Sequence, residues 1–375
     1  VSQLPNKTQA WLPEPLSDEV RASVERLVRL EDVVRVALMP DVHLAESVCV
    51  GAVVATRSCL LPDAVGGDIG CGMAAVQLSA HAGAVNRRSA GRVLEALAEV
   101  VPANRRRQKQ LLPDELASSK LGAPALQKVL ERDGAVQFAT LGSGNHFLEL
   151  QADDQGWLWL MVHTGSRALG PAVRRHYLKE ARSVGGGLRV LQADSSAGQA
   201  YLNDHEAAVR FADASRRRIL ADAAGLLGEL FQAHADWDTL VSSAHNFVRR
   251  EVHDGEALWV HRKGAISAGD GEPGLIPGSM GTESFLVSGR GLDAALRSSS
   301  HGAGRAMSRG AARRRIDVAK LEREMEGIWF DDRRARLLVD EAPSAYKPIA
   351  TVMRVENELT RIERRLRPVL SYKGV

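Results

Sequence analysis

The chain is poor in several features, and each shortage excludes something. Three cysteines among 375 residues, an odd number, cannot make a disulfide framework. Cys49, Cys59 and Cys71 therefore point to a reducing compartment, and a cytoplasmic protein is expected. Aromatic residues are only 5% of the sequence, so any core must be mostly Ala, Val and Leu. No run of about 18 apolar residues occurs, which argues against a membrane-spanning helix. Residues 1–16 are polar and Pro-rich, unlike a secretory signal. No GxxxxGK[ST] sequence exists, which argues against a P-loop enzyme.

Charge of one sign is also scarce: the net charge is only +3. The basic residues nevertheless cluster, at Arg105-Arg106-Arg107, Arg216-Arg217-Arg218, Arg313-Arg314-Arg315 and Arg364-Arg365. Arginine's planar fork of donors suits phosphate. Each run alone is equally a solvated helix face. Together they indicate a nucleic-acid partner only if they share a face.

What is present is a mixed pattern. Hydrophobic residues make up 45%, enough for a sizeable core. Residues 17–30 read as a helix with Ser17 as N-cap, and Arg92–Val100, Pro124–Arg132 and Ala197–Ala233 also read as helices. Thr351–Arg367 reads as a last helix before the tail. Val33–Ala37, Val48–Ala55, Trp157–Val162, Ala257–His261 and Phe285–Val287 read as strands, with Met39–His43 as a loop. The class is α+β, that is, mixed α/β. No repeat or low-complexity linker interrupts it, and Gly-rich polar loops recur after strands. One domain over residues 1–375, with a single site, is expected.

The densest chemistry lies in Val65-Gly66-Gly67-Asp68-Ile69-Gly70-Cys71-Gly72-Met73. Glycine lets such a loop fold tightly around a small object. Asp68 offers a hard oxygen, and Cys71 as a thiolate could bridge two metal ions. That pair suits Mn²⁺, Zn²⁺ or Co²⁺ better than Ca²⁺. The same stretch also reads as a turn holding an inert buried cysteine. Four histidines stand in polar or Gly-rich loops: His146, His163, His245 and His301. A lone histidine is usually a structural hydrogen-bonder, but four beside Asp68 and Cys71 make a plausible binuclear set. Pro277–Ser284 offers backbone N–H groups and hydroxyls for phosphate, and equally reads as a polar turn. Gly302, Ala303 and Gly304 would let a nucleotide approach the backbone beside His301.

These motifs carry a family resemblance. Val65–Met73, Gly142–Glu149, His163–Gly170, His261–Ala265, Pro277–Phe285, His301–Arg309, Glu341–Lys347 and the Lys373-Gly374 tail resemble the RtcB family, in order, from about residue 34 to 374. The resemblance implies a single-domain fold of central β-sheets flanked by helices. It implies a GTP- and Mn²⁺-dependent RNA ligase of the RNA-repair or tRNA-splicing type. Such enzymes join an RNA 3′-phosphate or 2′,3′-cyclic phosphate end to a 5′-hydroxyl end through a histidine–GMP intermediate and an RNA(3′)pp(5′)G intermediate. An archease-type activating protein enters as a partner on which the sequence is silent.

Residue by residue, the resemblance implies two Mn²⁺ ions. Asp68, Cys71 and His146 would hold one; Cys71, His163 and His245 would hold the other. His301 would be the guanylylated nucleophile. Asn145, Glu149, Ser279, Ser284, Ala303, Gly304, Tyr346 and Lys373 would bind GTP or GMP, and Arg167 and Arg309 would face phosphate and RNA.

The chain departs from the family pattern at Ala45, Glu46, Ser47 and Ala168, which bears on the RNA-facing surface more than on the chemistry. It looks like a divergent bacterial paralogue. Two other functions stay open: a metal-dependent RNA-end phosphoesterase, and a non-catalytic RNA-end binding paralogue. His301 and Lys373 argue against the first, and the complete set of five metal-ligand candidates against the second.

Overall fold

The computed structural model describes residues 4–374. The first strands in chain order are β1 (Thr8–Ala10), β2 (Val33–His43), β3 (Val50–Thr56), β4 (Cys59–Leu60), β5 (Gly72–His81), β6 (Phe147–Asp153), β7 (Trp157–Thr164), β8 (Arg182–Ser183) and β9 (Arg189–Gln192). They are followed by β10 (Ala235–Ala244), β11 (Asn246–His253), β12 (Glu256–Lys263), β13 (Ala265–Ser267), β14 (Pro273–Ile276), β15 (Ser284–Gly289), β16 (Ser298–Ser300) and β17 (Thr360–Lys373). A seven-stranded antiparallel sheet has the order β10-β5-β7-β6-β17-β15-β14. A five-stranded sheet has the order β1-β2-β3-β12-β11, antiparallel except at β1–β2. With the helices around them, this is the α+β class that the sequence indicates.

The sequence explains the layers. Trp157-Leu158-Trp159-Leu160-Met161-Val162 is apolar at successive positions, and β7 is buried on both faces. The helix Ser196–Phe231 lies against β5 and β7. It buries Tyr201, Ala208, Phe211, Ile219 and Leu227 at helical spacing. Ser195 caps its start by accepting from Gly198 N at 3.0 Å, and Gln232 ends it in the left-handed region. The five-stranded sheet is covered by the helix Asp18–Val28, whose Val24 and Leu27 are fully buried against Val36, Leu38 and Val54. Each such side chain contributes roughly 1.5–3 kcal/mol. Residues 309–345 form short helices around a small core of their own, including Met280, Ile316, Leu321 and Leu338.

Two local expectations are corrected. Met39–His43 is not a loop but the end of β2, because Asp41 and Val42 are buried there. Thr351–Arg367 is not one helix: helix spans only Ile349–Glu356, and β17 follows from Thr360. β17 pairs with β15 on one side and β6 on the other, so ladder bonds on both edges override local helix propensity. Helix also gives way after Lys128 to a wider turn over Val129–Gly134. No helix among the described residues is long and apolar enough to cross a membrane.

Candidate metal and nucleotide site

Strand order explains how distant residues meet. β10, β5, β7 and β6 are neighbours and alternate in direction. The C-termini of β10 and β7 and the N-termini of β5 and β6 therefore share one end of the sheet. His245 follows β10, Cys71 precedes β5, His163 is the penultimate residue of β7 and His146 precedes β6. Lys373, at the end of β17, pairs with Phe147 at the same end. Backbone bonds stitch the loops: His245 N donates to Cys71 O at 2.8 Å, and Gly70 N to Asn246 O at 2.7 Å.

The donor atoms of Cys71, His163 and His245 lie within 4.8 Å of one another, as do those of Asp68, Cys71 and His146. Cys71 Sγ is 3.3 Å from His163 Nε2 and 3.5 Å from His146 Nε2, while Asp68 Oδ2 is 3.2 Å from His146 Nε2. His163 Nδ1 is 3.1 Å from Asn145 O. A carbonyl can only accept, so Nδ1 carries the proton and the Nε2 lone pair faces the cluster. Burial, with neighbouring imidazoles, holds His163 and His245 well below the ordinary histidine range, so both are neutral donors. Burial and Asp68 push the Cys71 thiol well up. A cation at Sγ reverses that, because a coordinating thiol is deprotonated. Burial opposes ionisation of Asp68, but the hydrogen bond from His146 keeps its carboxyl low. Ser166 N donates to Asp68 Oδ1 at 2.9 Å, and this approach needs Gly165: a Cβ there would lie 2.2 Å from that oxygen. A shared thiolate, three imidazoles and a carboxylate fit a pair of borderline divalent cations.

His301 adjoins this cluster, its ring centroid 4.8 Å from that of His245. Its Nδ1 lies 2.6 Å from Oδ2 of Asp41, which is fully buried. The geometry does not meet that of an aligned hydrogen bond, so this is a close contact between the ring nitrogen and the carboxylate. His301 N also donates to Asp41 Oδ2 at 3.2 Å. Gly304 allows this crowding, since a Cβ there would sit 2.4 Å from Asp41 O and its φ is +71°.

Around them opens a cavity of about 280 Å³, close to the low end of ligand-sized cavities, roughly 300–1,000 Å³. Its walls include Asn145, Glu149, Ser279, Ser284, Ala303, Gly304, Tyr346 and Lys373, with all five donors and His301. Ser279 N donates to Thr282 Oγ1 at 2.7 Å, and Ala303 N to Pro277 O at 3.0 Å, which ties the two Gly-containing loops together. Glu149 is buried and accepts from Gln151 at 2.6 Å and Ser371 at 2.8 Å; burial raises its carboxyl. Glu341 gathers Lys373 Nζ at 3.0 Å, Tyr346 OH at 2.6 Å, Arg305 at 3.2 Å, and Arg309. Burial would raise Glu341, but Lys373 and Arg309 hold it down to about 2. Three basic side chains, Arg305, Arg309 and Lys373, thus meet at Glu341 on this wall, and Arg309 also pairs with Asp340 at 3.3 Å.

The sequence profile of the family described as tRNA-splicing ligase RtcB matches this chain over residues 23–130 and 117–374. The chain belongs to the RtcB family. It is 33% identical over 369 residues to the RNA-splicing ligase RtcB of Escherichia coli, covering 90% of each chain. The tRNA-splicing ligase RtcB of Thermococcus kodakarensis is 35% identical over 297 residues, 66% of this chain and 61% of that one. The RNA-splicing ligase RtcB of Mycobacterium tuberculosis is 32% identical over 308 residues, 68% of each chain.

In this RtcB chain, of the residues given a metal, nucleotide, nucleophile or phosphate role in the sequence, only Arg167 does not line the cavity. Its guanidinium donates instead to Thr140 Oγ1 at 3.2 Å and Ala103 O at 3.3 Å. The arginine runs do not share one face. Arg216 is buried, and Arg217 and Arg218 pair with Asp213 and Asp222 along their own helix. Arg364 pairs with Asp153, at the end of β6 away from the cavity. The run at 313–315 is exposed and continues the helix that starts at Arg309, on the cavity wall. Ala45, Glu46 and Ser47 form the turn between β2 and β3, whose flanking residues His43 and Val50 line the cavity. Ala168 lies outside it and donates its N–H to Gln137 at 2.9 Å. Sequence reasoning assigned no role to Asp41, Glu341, His43 or Lys263. The available signal for Asp41 was a carboxylate flanked by the apolar Leu38-Met39-Pro40 and Val42.

Proposed function

We propose that this chain is an RNA ligase that uses GTP and two Mn²⁺ ions to join RNA 3′-phosphate or 2′,3′-cyclic phosphate ends to 5′-hydroxyl ends. The observation that carries this reading is the placement of His301: against a buried carboxylate, beside a Cys–His donor group, in a cavity whose wall carries Arg305, Arg309 and Lys373. Mn²⁺ held by Asp68, Cys71, His146, His163 and His245 would supply positive charge to the phosphate oxygens.

The protein's own groups account for the rest. Asp41 attracts the Nδ1 proton of His301 and leaves the Nε2 lone pair free for the α-phosphorus of GTP. As a P–N bond forms and pyrophosphate leaves, the ring gains positive charge, and Asp41 stabilises it much as the aspartate of a Ser-His-Asp triad stabilises its imidazolium. An oxygen of the RNA 3′-phosphate then displaces histidine from the guanylate, and the ring returns to its neutral form. The 5′-hydroxyl attacks the activated RNA phosphate, and GMP leaves. Glu149 and Lys373 would read the guanine or its surroundings, and Ser279 and Ser284 would donate to the nucleotide. An archease-type activator is a further partner this reading allows.

The test is an RNA-joining assay with a 3′-phosphate strand and a 5′-hydroxyl strand. Joined product that requires both GTP and Mn²⁺ supports the reading. Removal of the 3′-phosphate without joining would make the protein a phosphoesterase.

A further inference from the structure

The run Arg216-Arg217-Arg218 reads as a surface, but Arg216 is only 1% exposed. It sits within the helix Ser196–Phe231, at a point where Leu or Met would pack the same space without a buried charge. Its guanidinium is spent on particular partners. Nη1 donates to Gly70 O at 2.8 Å and to Thr164 O at 3.1 Å. Gly70 directly precedes Cys71, and Thr164 directly follows His163. Nη2 lies 3.5 Å from Asp213 Oδ1, and that oxygen also accepts from Ser242 Oγ at 2.6 Å. Ser242 is on β10, three residues before His245. One guanidinium and the carboxylate beside it therefore touch the three segments that deliver Cys71, His163 and His245. Asp68 is fixed separately, by Ser166 N at 2.9 Å and by Asn246 Nδ2 to its carbonyl at 3.0 Å.

We propose that Arg216 is a positioning residue of the metal centre, whose fork, braced by Asp213, sets the spacing of the Cys71–His163–His245 donor group. The proposal rests on the reading that these residues hold metal. Only a planar fork reaches two carbonyls and a carboxylate in fixed directions. Such supports of ligand geometry are typically worth about 10–100-fold in metal affinity.

The test is titration of the metal-free full chain with Co²⁺ and with Mn²⁺, by visible absorption and calorimetry, for wild type, Arg216→Met, Arg216→Lys and His245→Ala. Wild type should bind two ions. Arg216→Met should weaken the ion held by Cys71, His163 and His245 about 10–100-fold and the other, which shares only Cys71 with it, much less, with a Co²⁺ spectrum shifted towards that of His245→Ala. Arg216→Lys, which keeps the charge, should recover part of the loss. Wild-type affinity and spectrum in a cooperatively melting Arg216→Met protein would overturn the proposal and leave the metal reading intact. Equal weakening of both ions would make Arg216 merely structural and also overturn it. A wild type that binds neither ion would remove the metal reading itself. If Arg216→Met does not fold, Arg216→Lys and Asp213→Asn are judged by the same criteria.

Discussion

Asp41 and His301 are 260 residues apart in sequence, yet Asp41 Oδ2 lies 2.6 Å from His301 Nδ1. The carboxylate is fully buried and the histidine lines a cavity, so one ring nitrogen is turned towards Asp41 while the ring borders the cavity. Asp41→Asn keeps the shape and removes the charge. Guanylylation should slow by about 10²–10⁴-fold, the range seen when a histidine loses its orienting carboxylate. Stopped-time labelling with GTP checks this, and an unchanged rate would remove Asp41 from the account.

His301→Ala should abolish the covalent guanylate and the joining of unactivated ends. Metal binding should survive, since His301 belongs to neither donor group. An RNA carrying a preformed 3′-pp-5′-G end should still be sealed. Failure on that substrate, with metal still bound, would place His301 in the last step as well.

Cys71 belongs to both donor groups, whereas His146 and His245 each belong to one. Calorimetry with Mn²⁺ should therefore find two ions in wild type, one in His146→Ala, one in His245→Ala and none tightly held in Cys71→Ala. Loss of a single ion in Cys71→Ala would show that the thiolate is not shared.

Much of this site is legible in the sequence, and the reason is chemical. Asp68, Cys71, His146 and His163 stand among glycines, where a polar side chain has few structural reasons to be. Strand order is what the sequence hides: only the alternation of β10, β5, β7 and β6 brings their loops to one end. The role of Asp41 is hidden for the same reason, since its partner His301 approaches from a distant segment. β17 misleads because its pattern around Arg361–Arg367 suits a helix until ladder bonds on both sides are counted.

Glu356 gives a stability test with a definite sign. It is fully buried, accepts from Ser300 N at 2.9 Å, and lies just behind His301. Burial pushes its carboxyl from 4.5 up to about 8. Between those values the folded chain holds a proton that the unfolded chain has lost, so stability falls as pH rises through the window. Glu356→Gln should flatten the profile and gain on wild type towards pH 8, by at most about 5 kcal/mol at 1.36 kcal/mol per pH unit. Urea denaturation from pH 5 to 8.5 measures it, and parallel profiles would contradict it.

Arg314 and Arg315 are exposed and form no ion pair among the described residues. If they meet the RNA backbone, replacing both with alanine should weaken single-strand binding at low salt. It should also reduce the slope of log affinity against log salt by about 1.4. Fluorescence anisotropy across a salt series checks this, and an unchanged slope would move the RNA path elsewhere.

The central claim is that His301 carries the guanylate. The most direct measurement is mass spectrometry of the protein after incubation with GTP and Mn²⁺, followed by mapping of the modified peptide. The expected result is one GMP per chain, joined to His301, lost in acid and absent without Mn²⁺. A chain that binds both ions and GTP yet carries no adduct, or carries it on another residue, would contradict the account.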